Sequence, residues 1–167
     1  MTEEVKRNYL EINSLQDLIE GNKPSEDYSL SLIDPINFQL NKFFYKNIGK
    51  KHKWVDRLTW SEEKWINYVS SKYVNTYVLK HKDDLVGFFE LIFHPENNER
   101  EIAYFGILEE YQNKKLGSFL LSEAIKKSFI NNTKRVWVHT CSLDHKNALS
   151  NYISRGMKIF KTEILNI

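Results

Sequence analysis

The chain has 167 residues, enough for one domain with a full core and short for two. Charged residues make up 28% and aromatics 14%, a globular composition that excludes an intrinsically disordered chain. The formal net charge of +2 is close to balance, so there is no general electrostatic case for nucleic-acid binding. The single cysteine, Cys141, rules out an internal disulfide and fits a reducing compartment. No apolar run reaches the length of a bilayer span, and the opening MTEEVKRNYL lacks the apolar core of a signal peptide. A soluble, cytoplasmic protein with no membrane association is expected.

Taken in order, residues 1–28 read as a short N-terminal extension, in which acidic side chains outnumber basic ones. Tyr9–Ile12 suits a short strand, and Leu15, Leu18 and Ile19 a short helix ended by Gly21-Asn22. A single folded domain is expected over residues 29–167. Ser29–Ile33 alternates like a first core strand, closed by Asp34-Pro35. A helix follows over residues 36–48, with Leu40, Phe43 and Phe44 on one face. The loop 49–60 concentrates lysines, His52, Trp54, Asp56, Arg57 and Trp60, and Ser61 caps a second helix through Trp65, Tyr68 and Val69. The tryptophans fill the core between the helices or face a ligand; composition allows both.

Residues 75–80 and 85–93 read as successive strands around the turn Lys82-Asp83-Asp84. Glu90 and Glu101 stand out in otherwise apolar strands. The strand Ile102–Leu108 pairs antiparallel with 85–93 and leads into the polar turn Gln112–Ser118. Leu116, Leu120 and Ala124 then recur at helical spacing. A strand, a polar turn containing Gly117 and a helix N-terminus together make an anion site, because the first N–H groups of a helix lack intrahelical partners. Residues 135–141 form a strand that should run parallel to Ile102–Leu108, since a helix intervenes. A last helix over 145–155 stops at Gly156, and residues 157–164 form the final strand.

Gln112, Gly117 and Ser118 after a buried strand resemble the acyl-coenzyme A pyrophosphate loop of the GNAT superfamily of N-acetyltransferases, with Lys115 where the first glycine is usual. A second stretch is similar at consistent spacing. Ala148, Tyr152, Gly156 and Met157 match Ala-x-x-x-Tyr-x-x-x-Gly-Phe, with Met157 in place of Phe and His145 where many members have Asn. The element order from residue 29 onward is also that of the superfamily. The strings WVDR and VWVHTCSLDH resemble a bacterial branch of unassigned acceptor. The resemblance implies an α/β (α+β) GNAT fold, a mixed central β-sheet flanked by helices.

It also implies an acetyl-CoA-dependent N-acetyltransferase that transfers the acetyl group directly to an amine. The amine must lose a proton before it attacks, since an alkyl ammonium has a pKa of about 10.4. Glu101 is the expected base; a strand-end salt bridge is the alternative. Glu90 is the second candidate, and is also expected near the acceptor. Tyr152 is the expected acid for the departing thiolate, or otherwise a core tyrosine. The expected cofactor contacts are Ile107, Leu108, Gln112, Asn113, Lys114, Lys115, Leu116, Gly117 and Ser118. Among them, the backbone near Ile107 or Leu108 is expected to serve the oxyanion and the pantetheine amides. Trp54, Asp56 and Arg57 are expected to line the acceptor pocket. Asp56 would hold an ammonium and Arg57 a carboxylate; a structural Asp56–Arg57 pair is the alternative.

A small-molecule or peptide amine is the expected partner, with the protein a monomer or homodimer. The five histidines show no metal-ligand spacing, so no metal is expected. A Cys141 nucleophile is disfavoured, because a lone cysteine after a buried strand usually acts as a small apolar residue. The rival reading is a non-catalytic acyl-CoA-binding sensor or regulatory module, which would keep the loop and lose the chemistry.

Overall fold

A computed structural model describes residues 3–166; Met1, Thr2 and Ile167 lie outside it. Seven strands and four helices follow in the order β1 (Glu4–Ile12), β2 (Tyr28–Leu32), α1 (Phe38–Gly49), α2 (Glu62–Ser70), β3 (Val74–His81), β4 (Asp84–His94), β5 (Glu99–Ile107), α3 (Leu116–Ser128), β6 (Arg135–Cys141), α4 (Ala148–Ser154) and β7 (Lys158–Asn166). One mixed sheet holds all the strands, in the order β2-β3-β4-β5-β6-β1-β7. Only β5 and β6 run parallel, joined by the α3 crossover.

The helices cover both faces, and alternation along the strands sorts the core. Val78 and Phe88 meet Phe44 and Ile48 of α1, while their neighbours Leu79 and Phe89 meet Leu120 and Ile125 of α3. Phe44 and Phe88 stack with ring centroids 4.9 Å apart, a contact worth about 0.5–1.5 kcal/mol beyond area burial. Asn37 caps α1 by accepting from Gln39 N–H, and Ser61 caps α2 by accepting from Lys64 N–H.

The first strand departs from the sequence reading. Glu4–Ile12 is not peripheral to the domain; it is an inner strand, antiparallel to both β6 and β7. Leu10 and Ile12 sit in the α3 core, so Arg7, Tyr9 and Glu11 project from the opposite face. The expected helix after it is a single 3₁₀ turn, Leu15–Asp17. The chain then crosses the end of α4, where Ile19 N–H bonds Arg155 C=O at 3.0 Å. Gly156 has φ +102° at this crossing, and any Cβ there would overlap the Asp17 carbonyl.

Two irregularities in β5 prepare the site. The β4–β5 register slips one residue between Glu90↔Tyr104 and Leu91↔Ile102, leaving Ala103 as a β-bulge. The bulge re-aims the strand. Ile102 and Phe105 both meet the α3 side, whereas Tyr104 meets Tyr45 and Trp54 on the α1 side. Parallel pairing with β6 also ends early, at Glu101↔Trp137, although the strands continue to Ile107 and Cys141. Beyond that point β5 and β6 part.

Candidate active site

A cleft of about 1190 Å³ opens where β5 and β6 separate, and it draws residues from both faces of the sheet. On this stretch β5 keeps its ladder to β4 but has no pairing with β6, so its backbone on the cleft side is free to pair with an extended ligand. Gln112 closes the strand end by donating from Nε2 to Ile107 C=O at 3.2 Å.

The turn into α3 has the form of an anion cradle. Asn113 and Lys115 both take positive φ, 64° and 63°. Lys115 is the N-cap of α3, yet no side chain caps the helix and its first turn carries no acid. The Ser118 hydroxyl donates to Lys115 C=O at 2.9 Å, which leaves the N–H groups of the first turn uncapped by a side chain. At Gly117 an added Cβ would touch only Asn151 Nδ2, at 3.6 Å. Packing within the protein therefore does not demand glycine there.

Left-handed backbone at a residue with a Cβ carries about 1–2 kcal/mol of strain, and glycine in its place forfeits about 0.5–1 kcal/mol of chain entropy. Lys115→Gly is thus expected to leave stability unchanged or raise it by up to about 1.5 kcal/mol, read by denaturant unfolding. Coenzyme A affinity should change less than about tenfold. A larger loss would make the Lys115 ammonium a principal phosphate ligand.

Of the residues expected at the cofactor, Ile107, Gln112, Asn113, Lys115, Gly117 and Ser118 border the cleft. Three do not. Leu108 is buried in the α1 core and its N–H is taken by Val86 C=O at 2.8 Å, so it is not a free oxyanion donor. Leu116, the first residue of α3, is buried in the core, and Lys114 lies over the Tyr111 ring.

Tyr152 and Glu101 border the same cleft from α4 and β5. Tyr152 is 6% exposed and packs near Phe105. Burial, then the nearby Asp144 carboxylate, pushes its phenol well above the ordinary value, so it stays protonated. The Glu101 side chain is 16% exposed and its Oε1 bonds His94 Nε2 at 3.1 Å.

The acceptor-side expectations need correction. Arg57 does not pair with Asp56. Its Nη1 donates to both oxygens of Glu90, at 2.9 and 3.2 Å, inside an aromatic cage that includes Tyr68 and Tyr104. Burial opposes the guanidinium charge, but Glu90, Tyr68 and Tyr104 together more than offset it, so Arg57 is held more firmly protonated than a free arginine. Glu90 is 0% exposed and does not reach the cleft. It also accepts from Tyr68 Oη at 2.7 Å and Asn41 Nδ2 at 2.9 Å, which commits its lone pairs to the core. Arg57, Trp54 and exposed Asp56 do border the cleft, and Trp54 Nε1 donates to Asp144 Oδ1 at 3.4 Å.

Sequence reasoning missed Arg7, His139, Asp144 and Asn151, which also border the cleft. Asp144 accepts from Cys141 N–H and Trp54 Nε1, tying the β6–α4 loop to the acceptor-side loop. Asn151 Nδ2 bonds Gly117 C=O at 3.1 Å and fixes α4 against the anion cradle.

The sequence matches the Acetyltransferase (GNAT) family over residues 38–157. The chain belongs to this family. Solved structures share the fold at low identity. A GCN5-related N-acetyltransferase from Sphaerobacter thermophilus superposes with TM-score 0.76 at 13% identity, over 99% of this chain and 52% of that one. A functionally unknown conserved protein from Staphylococcus epidermidis gives 0.65 at 16%, over 98% and 61%. An aminoglycoside acetyltransferase from an uncultured soil metagenomic sample gives 0.63 at 11%, over 77% and 86%. The GNAT chain thus spans about half to three fifths of the length of the first two. No curated protein sequence matches it. Acyl-CoA-dependent acetyl transfer is the chemistry of the family as a whole. Among the described residues, no helix is long and apolar enough to cross a membrane.

Proposed function

We propose that this chain is an acetyl-CoA-dependent N-acetyltransferase, acting directly on an amine and working as a soluble cytoplasmic protein. The observation that carries the reading is the cleft itself. A strand edge without a partner leads into an uncapped helix N-terminus, with an enclosed tyrosine on the opposite wall. These features fit a thioester on a long pantetheine arm that ends in a pyrophosphate.

In this reading the N–H groups at Asn113–Ser118 hold the pyrophosphate, and the free edge of β5 beyond the Ala103 bulge pairs with the pantetheine amides. A backbone N–H on that same edge donates to the carbonyl oxygen as it becomes an oxyanion. Glu101, steadied by His94, takes the proton from the incoming ammonium, directly or through one water. Tyr152 donates its proton to the sulfur of coenzyme A as the C–S bond breaks. The acceptor enters beside Trp54 and Asp56.

Coenzyme A should raise the melting temperature by mass action, equivalent to about 2.7 kcal/mol at a hundredfold excess over Kd. Free thiol should be released from acetyl-CoA when amines are screened. No thermal shift at millimolar coenzyme A would refute the reading. A shift without thiol release from a broad amine panel would instead support an acyl-CoA-binding module.

A further inference from the structure

Among the described residues, two buried side-chain atoms lack any hydrogen-bond partner: Nε of Arg7 and Nε of Arg155. Both residues border the cleft. Arg155 follows α4 on the cofactor side, one helical turn beyond Asn151. Arg7 is on β1, whose Leu10 and Ile12 face the α3 core, so Arg7 faces the other side, where an acceptor would lie.

We propose that Arg7 anchors a carboxylate on the acceptor, so that the amine acetylated by this chain carries an acid group. This rests on the acetyltransferase reading above. The first reason is the orphaned donor. A buried guanidinium N–H without an acceptor is unfavourable, and native folds rarely tolerate one unless something binds there. The second reason is the charge inventory of the cleft walls. Lys53 is paired with Glu3 at 2.8 Å, and Arg57 with Glu90. Lys115 belongs to the anion cradle. Arg7 and Arg155 make no such pair among the described residues, and Arg155 lies on the cofactor side, which leaves Arg7 as the unpaired guanidinium on the acceptor side.

Among the described residues no group facing Arg7 makes an ion pair with it, although its charge is one of the influences that hold the Glu163 carboxylate down. Its cross-strand neighbour on β7 is Glu163, which is engaged by Lys161 at 2.8 Å and by Tyr9 Oη at 3.1 Å. Its neighbour on β6 is Cys141, with His139 two residues earlier. His139 keeps solvent access at the cleft wall. Partial enclosure, then the Arg7 charge, lowers its pKa, so it adds no second cation near neutral pH. One planar guanidinium matches one planar monoanionic carboxylate; a dianionic phosphate would call for a second cation. Glu101 and Asp56, on other walls of the same cleft, supply the negative charge that draws the ammonium end. As an inner strand paired on both sides, β1 holds the arginine on a rigid element.

The test uses product-like probes with coenzyme A present: the N-acetyl derivatives of glycine, alanine, phenylalanine and glutamate, each against its own carboxamide, by titration calorimetry. At least one acid should bind about tenfold tighter than its amide, the scale set by losing a charged contact. Arg7→Gln should erase that ratio, and Arg7→Lys should retain part of it. If no acid outbinds its amide, or Arg7→Gln keeps the preference, the inference is overturned. The wild-type comparison stands even if Arg7→Gln fails to fold. Coenzyme A binding and thiol release are read separately. If they persist without acid preference, only the Arg7 assignment falls; if coenzyme A fails to bind, the acetyltransferase reading falls as well.

Discussion

Tyr152→Phe is expected to lower turnover about 10²–10⁴-fold while leaving coenzyme A affinity nearly intact. The substitution preserves the ring, and with it the packing near Phe105 and in the α3–α4 core. It removes only the O–H. Burial and Asp144 keep that proton on the phenol in the resting protein, which holds Tyr152 in its acid form but makes it a weaker acid than a free tyrosine. A group that acts only in the transition state lowers kcat and kcat/KM together when it is lost. The check is pre-steady-state thiol release at saturating acetyl-CoA, alongside calorimetric coenzyme A binding. Equal rates for the two proteins, with the chemical step limiting, would return Tyr152 to the core.

Much of this fold was legible because it is written locally. The β5–α3 crossover shows a buried apolar strand, a polar turn and a helical period in one stretch of sequence, and β5 and β6 are parallel as a crossover requires. The Ser61 cap stands where its residue type and position predict. The bounds of β3 and β4 move by only one residue.

The inner position of β1 was not legible. EVKRNYLEI has charged or polar side chains at most positions, because one face of the strand packs on α3 while the other carries Arg7 at the cleft and Tyr9 and Glu11 bonded to Glu163 and Arg135. Asn8 is buried, its Oδ1 accepting from Thr162 Oγ1 at 2.8 Å, and this breaks the apolar alternation that would have marked the buried face. Leu10 and Ile12 were the surviving signal on that face.

Site residues followed the same division. Gln112, Gly117, Ser118 and Tyr152 belong to motifs that repeat at fixed spacing, and all of them border the cleft. Arg57 and Glu90 lie 33 positions apart, and nothing in either neighbourhood announces the other. An arginine among tryptophans reads equally as a ligand clamp or as the partner of a buried acid. Only the fold joins it to the glutamate that stands out in β4. The bulge at Ala103 and the early parting of β5 and β6 are likewise non-local, since they exist only in the register between strands.

That pairing sets the largest expected effect on stability. Arg57→Met is expected to destabilise the protein by about 3–5 kcal/mol, the range for removing one partner of a buried ion pair. Arg57 is 6% exposed and Glu90 0% exposed. Without the guanidinium, the Glu90 carboxylate keeps only two neutral donors, Tyr68 and Asn41, in a site closed to water. The loss is a large share of the 5–15 kcal/mol that holds a typical domain together. Adding Glu90→Gln should recover much of it, because a neutral amide still accepts from Tyr68 or Asn41 and no charge is stranded. Denaturant midpoints of wild type, both single variants and the double variant give the coupling, provided the m-values agree. The same four proteins separate the two readings of Arg57. A structural residue makes the single variant unstable and moves the KM values for acceptor and acetyl-CoA together. If Arg57→Met stays within about 1 kcal/mol of wild type and raises only the acceptor KM, Arg57 is an acceptor contact and its bond to Glu90 is incidental.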